Sequence, residues 1–160
     1  MIEVLFKRLL IAATVSMALA LTAAAQTPPA NSDARLGLGD YMTAFVQPRH
    51  AKLGLGGQAR NWEYAAYERR ELEETLELVE KAVPRYRGAA MSDLLQMTKQ
   101  PMADLEGAIK ARDGAKFDAA YAGLTDACNA CHRITEHAMI AIQVPKASMF
   151  PNQNFATPKP

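Results

Sequence analysis

Two thiols and an imidazole stand together near the end of this 160-residue chain, in the run Cys128-Asn129-Ala130-Cys131-His132. The chain has only 2 cysteines, and both lie in this run. Their spacing is close to one helical turn. Thiols so placed can each add to a vinyl group of one haem, and the adjacent histidine then binds the iron from one side; C-x-x-C-H is the attachment pattern of c-type haem. Three other chemistries use the same residues. A thioredoxin-like dithiol needs a βαβ setting, whereas the flanks here read as helix. A structural zinc site needs further ligands, usually a second pair, and no third cysteine exists to supply one. A disulfide between neighbours on one regular helical turn has poor geometry. The pattern therefore predicts one covalently bound haem c, with Cys128 and Cys131 forming the thioethers and His132 ligating the iron.

The elements that must position these side chains read as all-α, with no convincing strand alternation. A first helical segment spans about Leu36 to Leu55, closed by Gly56-Gly57, with a kink or break expected near Val46 ahead of Pro48. Asn61 is a good N-cap for a second helix starting at Trp62. That helix places Ala65, Leu72, Leu76, Val79 and Val83 on one face. Its opposite face, dense in charge from Glu68 to Glu80, reads as solvated surface. Pro84 ends it, and Gly88 lies in the turn that follows. Met91 to Thr98 suggests a short helical piece, with Pro101 opening the next, which carries Met102, Leu105 and Ile109. Asp113-Gly114 is a turn. The fourth helix begins near Ala115, and Phe117, Tyr121, Leu124, Cys128 and Cys131 repeat at spacings of four and three. One apolar stripe thus runs straight into both thiols, which places the haem on the core-facing side of the last helix.

At the N-terminus, Lys7 and Arg8 precede an apolar run from Leu9 to Thr22 and then Ala23-Ala24-Ala25, an A-x-A cleavage site. Residues 1–25 read as a cleaved signal peptide, the run being shorter than the roughly 20 residues that span a bilayer. Export suits the motif, because c-type haem is attached outside the bacterial cytoplasm, and it predicts a periplasmic protein that does not span the membrane. Residues 26–35 read as a flexible leader, 36–142 as the haem-binding domain and 143–160 as a Pro-rich, irregular tail. Phe150 and Phe155 ill suit a wholly disordered tail, so part of it is expected to lie across the helices. Of 18 Lys and Arg and 17 Asp and Glu, the signal peptide carries Lys7, Arg8 and Glu3, leaving 16 of each sign. No clustered basic excess points to nucleic acid.

Four helices with C-x-x-C-H near the end of the last resemble the cytochrome c′ family, the class II c-type cytochromes, over about Leu36 to Ile140. Class I cytochromes place the motif near the N-terminus and fit less well. The resemblance implies an antiparallel four-helix bundle, thioethers at Cys128 and Cys131, His132 as proximal ligand, and a first helix covering the other face of the haem. Relatives often pair as homodimers through their first two helices. Two departures stand out: Glu136 occupies the position where the family often has a basic residue, and the tail of residues 133–160 is longer than usual.

Function then depends on the sixth iron position. Two strong axial ligands make an electron carrier, whereas an open distal side binds small gases. On the first helix, Met42 and Leu53 fall about 20° apart, and His50 about 60–80° from either, at 100° per residue. The family arrangement places the distal residue four after an arginine; from Arg49 this points to Leu53 and five-coordinate iron. Low-spin relatives use a methionine on this helix, for which Met42 is the candidate, and His50 could make a bis-histidine site. His137 reads as a surface or helix-end residue, and the other methionines as core or surface filler. The expected function is electron transfer with redox partner proteins. The alternative is a five-coordinate protein binding nitric oxide or carbon monoxide. An enzyme such as a peroxidase rests only on the adjacency of Arg49 and His50, and the chain is read as a non-enzyme.

Overall fold

The computed structural model describes residues 35–157; the expected signal peptide, most of the leader and the last three residues of the tail lie outside them. Four helices account for most of the described chain. Helix α1, residues 38–58, joins Leu38–Tyr41 and Gln47–Gln58 through a π-helical stretch, Met42–Val46. Helix α2 is Trp62–Ala82, α3 is Met91–Ala111 and α4 is Gly114–Ile134. Each helix packs on the next, and α4 returns to α1. Buried Leu53, Leu72, Val79, Leu105, Phe117 and Leu124 fill the space between them.

The disturbance expected ahead of Pro48 takes the form of the π turn. Pro48 has no N–H to give an α-helical partner, and the chain widens so that the Gln47 N–H reaches the Met42 carbonyl, five residues back. The helix then runs on through Gly56-Gly57 to Gln58, which corrects the stop expected there. These glycines are contact residues. A Cβ on Gly57 would lie 1.9 Å from the Phe117 ring, and one on Gly54 would lie 2.5 Å from the Tyr121 ring. Their missing side chains let α4 aromatics sit directly on the α1 backbone.

Helix α2 starts where expected: the Asn61 side chain accepts the Tyr64 N–H at 3.2 Å. Its apolar face is Ala65, Leu72 and Val79, all buried, with Leu76 and Val83 packed at the margin. Glu68 departs from the solvated face assigned to it. It is 1% exposed, bonded to Arg49 at 3.2 Å and to the Tyr64 hydroxyl at 2.7 Å. After Pro84 comes a small antiparallel hairpin, β1 (Arg85–Tyr86) and β2 (Ala89–Ala90), too short to leave a sequence pattern. Both loop residues, Arg87 and Gly88, have positive φ, as a type I′ turn requires.

Helix α3 is unbroken, so the split expected at Pro101 does not occur. Leu94, Leu95, Met102, Leu105 and Ile109 are buried on both sides of the proline, and this packing outweighs a cost of about 3 kcal/mol for proline in a helix interior. Asp113 caps α4, its carboxylate accepting the Lys116 N–H at 3.0 Å. No helix among the described residues is long and apolar enough to cross a membrane.

Candidate functional site

The stripe along α4 passes from buried Phe117, Tyr121 and Leu124 to Cys128 and Cys131, and both thiols open on one cavity. The cavity has a volume of about 170 Å³. The walls are mostly apolar. Helix α1 contributes Leu38, Met42 and Val46 from in and around the π turn, α3 contributes Met91, Leu94 and Leu95, and Tyr86 comes from the hairpin. π-Helical turns recur at functional sites.

Both cysteines are free thiols. Burial, with Cys131 adding to it, pushes the Cys128 thiol up to about 11, and burial raises Cys131 as well. Redox dithiols and thiolate nucleophiles show the opposite shift. Among the described residues no group of three or more His, Cys, Asp or Glu is arranged to hold a metal ion.

His132 lines the same cavity. Its Nδ1 lies 2.7 Å from the Ile140 carbonyl oxygen. A carbonyl only accepts, so in the neutral ring Nδ1 carries the proton and Nε2 keeps its lone pair. That is the tautomer a metal-binding histidine needs, with its second nitrogen held by a backbone oxygen.

The Ile140 carbonyl reaches His132 because the chain turns back after α4. Glu136, at φ 61°, adopts the left-handed conformation; the His137 N–H then bonds the His132 carbonyl at 2.6 Å and the Glu136 N–H bonds the Arg133 carbonyl at 3.2 Å. This is a Schellman motif with glutamate where glycine is usual. The Glu136 carboxylate pairs with Arg87 on the hairpin. The returning segment is tied to α4 by Asn129, whose amide donates to the Ile142 carbonyl at 2.8 Å and accepts its N–H at 2.7 Å. Asn129, Ile140 and Ile142 had no assigned role in the sequence reading. A backbone carbonyl leaves no sequence signal at all, and an asparagine inside the motif is only a hint.

No protein-family model matches this chain, and neither the curated proteins nor the solved structures include a match.

The candidates for the sixth iron position are separated by the fold. Met42 and His50 line the cavity, whereas Leu53 is fully buried in the core and does not. His50, 4% exposed, has both nitrogens engaged. The Thr125 hydroxyl gives its proton to the Tyr121 carbonyl at 2.9 Å, so it accepts from His50 Nε2 at 3.1 Å; the Tyr121 hydroxyl lies 3.0 Å from Nδ1. Burial lowers the His50 pKa to about 4, keeping the ring neutral. Arg49 turns away to Glu68 and Glu71 at 3.2 and 3.0 Å and is absent from the cavity wall. The Arg49–His50 pair is therefore not brought together over the cavity. Met91, read as filler, is a second thioether on the wall, while Met139 and Met149 are exposed.

Proposed function

We propose that this chain is an exported, periplasmic mono-haem c-type cytochrome, a non-enzyme that passes electrons between redox partner proteins. In this reading the helices form an antiparallel four-helix bundle like that of cytochrome c′. Cys128 and Cys131 hold haem c through thioethers, and His132 ligates its iron. The observation that carries the proposal is the convergence of two protonated thiols and a histidine with a free Nε2 on one mostly apolar cavity. Bound there, the haem supplies reversible one-electron chemistry. The protein's own part is to exclude water with Val46, Leu94 and Leu95, to hold the His132 proton on Nδ1, and to offer thioethers at Met42 and Met91 as soft donors. His50 is spoken for by Tyr121 and Thr125.

Leu53, the distal residue of the gas-binding alternative, is not on the wall, and the apolar wall alone supports that alternative: iron without a methionine ligand would face an apolar space that admits carbon monoxide or nitric oxide. Two measurements test these readings. Haem-dependent peroxidase staining after denaturing electrophoresis should detect covalent haem, weakened by Cys128→Ala or Cys131→Ala and abolished by the double variant. An unstained band overturns the cytochrome assignment. Visible spectra of the reduced protein with and without carbon monoxide then separate the functions. Sharp bands unmoved by the gas, and lost in Met42→Ala or Met91→Ala, support electron transfer through a six-coordinate iron. Bands that shift with carbon monoxide in the unaltered protein replace it with the gas-binding function.

A further inference from the structure

We infer that Asn129 is a positioning residue for the iron ligand, acting through the chain that returns over His132. The inference rests on the reading of His132 as the haem ligand. Asn129 lies inside the attachment motif, one residue after the first thiol, and its side chain is half-buried. Its amide closes a two-bond ring with the N–H and carbonyl of Ile142 at 2.7 and 2.8 Å, as a paired strand residue would. Two residues earlier, the Ile140 carbonyl accepts the His132 Nδ1–H at 2.7 Å. The acceptor is a backbone atom, so the geometry of this bond depends on where the backbone of the returning segment is held. That segment is pinned at its start by the left-handed turn at Glu136 and the Glu136–Arg87 ion pair. Asn129 pins its far end. A hydrogen bond from the second nitrogen makes a ligating imidazole more basic. A more basic imidazole favours ferric over ferrous iron, so the Asn129 amide sets the reduction potential without touching haem or histidine.

The test uses the haem-loaded protein and two readouts, the midpoint potential and the solvent-exchange rate of the His132 Nδ1 proton followed by nuclear magnetic resonance. Asn129→Ala removes the clamp from the helix side. Ile142→Pro removes the donated N–H from the other side and leaves every motif residue in place, which covers the case in which a change within the motif blocks haem attachment. Gln58→Ala is the control: Gln58 donates to the Pro145 carbonyl at 3.0 Å, so its loss loosens the same segment further along. Both clamp variants are expected to speed exchange at least tenfold and to raise the potential, a tenfold shift in the reduced-to-oxidised ratio being about 59 mV for one electron. Gln58→Ala should change neither. Unchanged readouts in both clamp variants, or equal shifts in the control, overturn the inference and leave the cytochrome reading standing. An unaltered protein that carries no covalent haem overturns both together.

Discussion

Glu68 and His50 are both buried in the core, and opposite forces hold them. Glu68 keeps its place through Arg49 and the Tyr64 hydroxyl, and burial together with the Glu68 hydrogen bond holds that phenol protonated well above its ordinary range. Arg49→Ala should therefore cost about 3 kcal/mol in urea unfolding, because it strands a buried carboxylate. Arg49→Met with Glu68→Leu should recover most of the loss. A single-variant loss below about 1 kcal/mol would mean that the tyrosine alone supports the charge. His50 behaves as a buried neutral base. With its folded pKa lowered to about 4 from the usual 6.5, only the unfolded chain takes up this proton between those pH values. Stability is then full above pH 6.5 and falls as pH drops to 4, by on the order of 3 kcal/mol. The slope should vanish in His50→Gln; parallel pH curves for the two proteins would refute it. Neither burial could be read from one sequence. Glu68 sits in a run of glutamates of which Glu73, Glu74, Glu77 and Glu80 are exposed, and the partners of His50 lie 71 and 75 residues away.

The helices themselves were largely readable: α2 with its Asn61 cap and the α4 stripe depend on near neighbours in sequence, and periodicity records them, although Asp113, read as part of a turn, proves to be the α4 cap. The misreadings cluster at glycine and proline, whose local preference was overruled by distant packing. Gly56-Gly57 looked like a helix stop, yet Gly57 is kept small by Phe117, sixty residues on. Gly57→Ala should thus destabilise by about 2 kcal/mol or more, as overpacking does. Gly107 and Gly123 have open space around the added methyl, so alanine at either helical position should stabilise by about 0.5–1 kcal/mol. Thermal unfolding of the three variants reads both signs, and a stabilising Gly57→Ala would contradict the close approach of α1 and α4. Pro101 was read as a helix start because nothing nearby shows that the apolar stripe of α3 continues through it.

Over the whole chain, the grouping of the three motif residues was readable because they are near neighbours on one helix, and all three line one cavity. The cavity around them was not, since its walls come from α1, α2, α3, the hairpin and the segment after α4. The tail shows a similar division. Its prolines announced irregular structure, and Phe155 proves buried against Tyr64 with ring centroids 5.6 Å apart, while Gln153 donates to the Tyr64 hydroxyl at 2.6 Å. Phe155→Ala should cost about 2 kcal/mol by lost burial and leave the visible spectrum of the haem-loaded protein unchanged, because Phe155 is not part of the cavity wall. A spectral change would mean that the tail reaches the haem environment.

The span of those walls also orders events during synthesis. Leu38 and Ile142 border the same space, so no nascent chain that stops short of residue 142 contains it. The thiols at 128 and 131 emerge before their cover does. For that interval both thiols are uncovered, and the arrival of the last wall closes the space over them.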